Sequence, residues 1–150
     1  MRKFVFTLQS LFNYKGIVEK QQKIELSKAQ QALRELREEE RRLERAYADN
    51  ERSLERALRE NTDVGTELSE HDAYFRYLRD ALKELRLRIE KAEEIVAQCQ
   101  ERLILTMREI KTYKKLRDEQ YAAYLKEIQA EEDKEIGDLV SFNVVNEEIG

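Results

Sequence analysis

The chain has 150 residues, 40 % of them charged, with no proline and four glycines, so it lacks the turns and clustered apolar strands of a sandwich, a barrel or a Rossmann domain. A net charge of −4, from 28 basic and 32 acidic side chains, gives no general nucleic-acid signature. No apolar run approaches the roughly 18 residues of a membrane span, and a lone Cys99 excludes an intrachain disulfide and fits a reducing compartment.

The opening Met1-Arg2-Lys3-Phe4-Val5-Phe6 starts like a signal peptide, but Thr7, Gln9 and Ser10 interrupt it and no small-residue cleavage site follows. The reading is a cytoplasmic chain. A first helix is expected over about 3–60. From Leu26, steps of three and four give Ala29, Leu33, Leu36, Glu40, Leu43, Tyr47, Asn50, Leu54 and Ala57, an a/d seam with two polar interruptions. The residues between are mostly Glu, Arg, Lys and Gln, as on solvated coiled-coil flanks.

The stretch 61–70, Asn-Thr-Asp-Val-Gly-Thr-Glu-Leu-Ser-Glu, favours turns and caps, with Thr66 or Ser69 placed to cap a second helix. That helix is expected over about 70–136. Its seam runs through His71, Phe75, Leu78, Leu82, Leu85, Ile89, Ala92, Val96, Cys99, Leu103, Thr106, Ile110 and Tyr113. Two apolar positions in seven do not enclose a globular core; they zip against another helix. The fold class is therefore all-α, a long antiparallel two-helix coiled-coil hairpin with a turn near 61–70. The competing architecture is one continuous helix that dimerises, because the heptads pass through 61–68 without a phase slip. Folding back about position 66 sets Leu43 opposite Ile89, Tyr47 opposite Leu85 and Ala57 opposite Phe75, and a shift of one heptad would move every pair.

From Gly137 onward the heptads stop. The chain then divides into a hairpin over 1–136 and a tail over 137–150, which is expected to be frayed or flexible. Charge is segregated: residues 1–28 carry six basic and two acidic side chains, and 102–126 carry seven and three. Residues 29–101 carry fourteen and nineteen, and 127–150 carry one and eight. A hairpin sets the two basic segments side by side.

No catalytic constellation is present. His71 is the only histidine and falls on the seam beside the turn, where a packed or capping role outweighs a catalytic one. Cys99 sits on a d position among Val96 and Leu103, as a small apolar residue does. There is no P-loop or dinucleotide-type glycine loop, and a two-helix rod has no cleft to shift a carboxyl pKa. The sequence thus predicts no enzyme, no metal, no cofactor and no small-molecule substrate. The aromatics are more informative. Phe4, Phe6, Phe12 and Tyr14 lie near the start, Tyr113, Tyr121 and Tyr124 towards the end, and Tyr74, Phe75 and Tyr77 just after the turn, with Tyr47 on the opposing helix. Tyr74 and Tyr77 are surplus to the seam and suit partner contacts.

Lys3-Phe4-Val5-Phe6-Thr7-Leu8-Gln9-Ser10-Leu11-Phe12 resembles the opening of the FliJ family, and Glu132-Asp133-Lys134-Glu135-Ile136-Gly137-Asp138-Leu139 resembles its closing segment, with Gly137 where the family usually has an acid. The resemblance spans essentially the whole chain. It implies a component of the bacterial flagellar type III export apparatus, a coiled coil like the stalk of a rotary ATPase. The implied partners are the hexameric flagellar export ATPase, the cytoplasmic domain of the export-gate membrane protein and export chaperones, with no nucleic acid. The implied location is cytoplasmic, held at the inner face of the membrane through that apparatus. Carried over by position, the ATPase-facing residues are Phe4, Phe6, Leu8, Leu11, Tyr121 and Tyr124, and the gate-facing ones are Tyr47, Tyr74 and Leu78. The alternatives are a generic scaffold or filament coiled coil, the equivalent stalk of a virulence secretion system, and a peripheral membrane binder using the basic, aromatic start.

Overall fold

The computed structural model describes residues 2–60 and 63–149. Two helices, α1 (Gln9–Arg59) and α2 (Val64–Ile149), pack against each other as an antiparallel hairpin. Both are rich in Leu, Ala, Glu, Gln, Lys and Arg, which lose little rotamer freedom in a helix. Every position of both predicted seams is buried or half-buried. The heptads therefore decide which face of each helix leaves water, and each fully buried Leu or Ile contributes about 1.5–3 kcal/mol.

The connection is shorter than the sequence suggests. α1 ends at Arg59 and α2 begins at Val64; of the predicted turn, Asn61 and Thr62 lie outside the described residues. Asp63 caps α2: its carbonyl oxygen accepts from the Glu67 amide at 3.1 Å and its carboxylate from the Thr66 hydroxyl at 2.8 Å. Thr66 thus sits in the first turn and Ser69 further in, where neither serves as the cap.

The contacts divide into two compact units, residues 1–20 with 104–150, and Gln21–Leu103. In the second unit Leu33, Leu85 and Ile89 form a buried cluster, with Leu36, Leu43, Ala92 and Val96 packed around it. Leu43 and Ile89 both belong to this cluster. The register departs from the sequence reading: Tyr47 packs on Phe75, ring centroids 4.8 Å apart, where Leu85 was expected. The early cap at Asp63 moves the fold-back towards Arg59, and a slide of about a heptad still sets apolar against apolar. What selects the register is polar. Asn50, buried on the seam, donates its amide to the His71 carbonyl oxygen at 3.1 Å. The His71 ring is pinned on both sides, with Nδ1 2.7 Å from the Glu67 carbonyl oxygen and Nε2 3.3 Å from the Ser53 hydroxyl. A carbonyl only accepts, so Nδ1 donates to Glu67.

In the first unit the chain approaches α1 without helix. Residues 2–6 are extended and Thr7-Leu8 turn into α1, with the Gln9 amide on the Phe6 carbonyl at 3.1 Å. The predicted start near residue 3 is thus later, at Gln9. The reason is a period of two: Phe4 and Phe6 turn inward while Lys3, Val5 and Thr7 face water. Thr106 and Ile110 are buried in the same unit. α2 runs on as helix through 137–149, the segment for which the sequence reading expected a frayed end, and its side chains there are exposed through Glu148. Gly137 has open space around it, and without a proline or a partner strand nothing halts the helix.

Candidate functional site

The extended strap carries the first cluster. Phe4 meets Tyr121 edge to face, centroids 5.1 Å apart, and lies tilted against Tyr124 at 5.6 Å. Tyr121 and Tyr124 are themselves stacked at 6.1 Å, and the Tyr124 hydroxyl donates to the Arg2 carbonyl oxygen. Such pairs prefer edge-to-face or offset geometry, worth about 0.5–1.5 kcal/mol each beyond the area they bury. Arg2 reaches Glu127 and Glu131, each at 3.5 Å. Phe6 is 4 % exposed and packs on Phe12, whose face carries the Arg117 guanidinium at 5.3 Å. Next along α1, Lys15 pairs with Glu109, and its hydrogen bond to that carboxylate raises the ammonium pKa above 10.5.

These contacts sort the predicted ATPase-facing residues. Phe4, Tyr121 and Tyr124 come together. Leu8 is half-buried at the turn into α1, and Leu11 and Tyr121 are each 47 % exposed. Phe6 is structural: it holds the strap down and presents no surface. Phe12 and Arg117 were not singled out for this role; a basic residue facing an aromatic across the hairpin was the available signal, and it needed the register. Val5, Tyr14 and Ile17 are also exposed in this unit.

The second cluster lies in the other unit. Tyr74 and Tyr77 stack at 6.2 Å with rings 16° apart, and both are exposed. Beside Tyr77 a shallow groove of about 210 Å³ reaches Leu43, Ala81 and Leu85. Tyr47 is half-buried against Phe75. Leu78, read from the sequence as gate-facing, is 1 % exposed, so it serves the seam and offers no contact. A seam residue looks the same in sequence whether or not a partner lies nearby.

Among the described residues, no group of three or more His, Cys, Asp or Glu is placed to hold a metal ion, and no helix is long and apolar enough to cross a membrane. Cys99 is a free, half-buried thiol on the seam. The family model for the flagellar FliJ protein matches residues 4–148. The chain belongs to the FliJ family. The match takes in both ends that carry the resemblance, the aromatic strap and the acidic close of α2. As a FliJ-family protein the chain is a coiled-coil component of the flagellar export apparatus, and the family is a non-catalytic stalk protein. No curated protein and no solved structure matches the chain.

Proposed function

We propose that this FliJ-family chain is the stalk of the export ATPase complex. Its strap unit binds the hexameric export ATPase and promotes its assembly or turnover. Its second unit contacts the cytoplasmic domain of the export gate through Tyr74 and the edge of Tyr47, with Tyr77 alongside. It also assists export chaperones, and works in the cytoplasm at the inner face of the membrane. The observation that supports this reading best is the ring cluster of Phe4, Tyr121 and Tyr124, in the same unit as exposed Leu11. It sits in a unit whose Arg108, Lys111, Lys114 and Lys115 make no ion pair among the described residues. Rigid rings supply contact area at low entropic cost, and unpaired basic charge speeds encounter with an acidic partner.

The test mixes the chain with its cognate ATPase and follows phosphate release and oligomer size at low and moderate salt. Wild type is expected to raise both, more strongly at low salt. A Leu8→Ala, Leu11→Ala variant that keeps its helix content is expected to lose the stimulation. Tyr74→Ala is expected to keep it and to weaken binding to the gate domain. Wild type that changes neither oligomer size nor turnover removes the stalk reading and leaves a generic scaffold.

A further inference from the structure

Ahead of the two helices, Lys3-Phe4-Val5-Phe6-Thr7 has the composition of a β-strand. Phe4, Val5, Phe6 and Thr7 are all aromatic or β-branched, the residue types that fit a pleated chain. Residues 2–6 are extended, with Phe4 and Phe6 turned inward and Lys3 and Val5 outward. Val5 is 74 % exposed, more than any other large apolar side chain among the described residues.

The main chain of the strap alternates too. In an extended chain the N–H and C=O of one residue point to one edge, and those of the next residue to the other. The edge of Arg2, Phe4 and Phe6 is turned to the protein: the Arg2 carbonyl accepts from the Tyr124 hydroxyl, and the Phe6 carbonyl from the Gln9 amide. On the opposite edge the N–H and C=O groups of Lys3 and Val5 make no hydrogen bond among the described residues. A groove of about 290 Å³ lies against the strap, with Lys3, Val5, Gln120, Ala123 and Glu127 in its lining. Ala123 is small and exposed, so α2 leaves room there for the side chains of a second chain.

A partner helix has spent its own main-chain groups internally and does not satisfy such an edge. Another extended chain does. We propose that the strap is a docking edge, on which an extended segment of the export ATPase is added as a strand; this rests on the stalk reading above and names how that contact is made. Lys3 and Val5 each give and receive one main-chain bond, and Val5 leaves water. Main-chain bonds set no sequence, so selection falls to the flanking side chains. The partner segment carries an apolar side chain beside Val5, over Ala123. It carries a carboxylate at Lys3, whose ammonium makes no ion pair among the described residues. Phe4 on Tyr121 and Phe6 on Phe12 hold the strap extended beforehand, so little order remains to be imposed on binding.

The experiment is amide hydrogen exchange at single-residue resolution on the full chain, alone and saturated with its cognate ATPase. In the complex the Lys3 and Val5 amides are expected to exchange at least about tenfold more slowly, and the Phe4 amide, on the other edge, to change far less. Val5→Pro keeps an extended backbone and deletes one N–H of the edge. With helix content intact it is expected to bind the ATPase about fivefold more weakly than Val5→Thr, which keeps that N–H. Wild type that binds the ATPase with the Lys3, Phe4 and Val5 amides all unprotected, or all equally protected, overturns strand pairing and leaves the stalk reading standing. So does a Val5→Pro chain that binds as tightly as Val5→Thr. Wild type that does not bind the ATPase overturns both.

Discussion

The side-chain amide of Asn50 and the main-chain carbonyl of His71 meet across the hairpin at 3.1 Å, inside a mostly apolar seam. The carbonyl of a mid-helix residue already accepts its own helical bond, so losing Asn50 strands no acceptor. The amide therefore costs burial and returns register. Asn50→Leu is expected to leave the melting temperature unchanged or raised. In a Cys99→Ser background, spin labels at Arg45 and Arg79 are expected to give one distance in wild type and a second, slid population in Asn50→Leu. A single unchanged distance would assign the register to something other than this bond.

Leu78 and Tyr74 lie four residues apart and separate packing from presentation. Leu78 is 1 % exposed, so Leu78→Ala is expected to cost about 2–5 kcal/mol in denaturant unfolding. Tyr74→Ala, on the surface, is expected to stay within about 0.5 kcal/mol of wild type. Leu43→Asp and Ile89→Asp, which set an unpaired charge into the central cluster, are each expected to melt the hairpin, read as lost helix signal at 25 °C.

The strap is held by rings more than by backbone bonds. Phe4→Ala removes the partner of both Tyr121 and Tyr124. Trypsin is then expected to cut after Lys3 several-fold faster, with little change in the global melting temperature. Equal cutting rates would show that Phe6 alone secures residues 2–8.

The Lys15–Glu109 pair gives a pH signature. The Lys15 pKa is raised in the fold by its hydrogen bond to Glu109. A raised lysine pKa means that the folded chain holds the proton more tightly than the unfolded one, so the contribution is complete below about 10.5 and is lost as pH climbs through the folded value. Wild type is expected to melt slightly above Lys15→Gln at pH 7 and 9, with the gap narrowing as pH climbs through the folded value. A difference that does not narrow would assign the effect to packing of the lysine stem.

Which face of each helix is buried was legible along both seams, Leu26 to Ala57 and His71 to Tyr113, because heptad spacing is local and needs no partner to be read. What faces what was not. Tyr47 opposite Phe75 instead of Leu85 follows from a capping bond between Thr66 and Asp63 and from one buried amide, and neither changes the apolar pattern. The strap was read as helix because Leu8, Leu11 and Phe12 fit a helical period, while the alternation of Phe4 and Phe6 covers too few residues to compete. Tyr121 and Tyr124 were legible as companions of Phe4, since any hairpin of this length brings those segments together. The burial of Phe6 and Leu78 was not, because a single sequence does not distinguish an anchor beneath a surface from the surface itself.

Arg2 and Tyr124 are 122 positions apart, and the strap's ring partner Tyr121 lies almost as far along. A ribosome adding about 5–20 residues per second needs several seconds or more to span that gap. Throughout that time Phe6 already has Phe12 to pack on, while Phe4 is synthesised without either of its ring partners. Closure of the strap therefore waits on the second helix of the hairpin, and α1 is made long before the residues that tie down its approach.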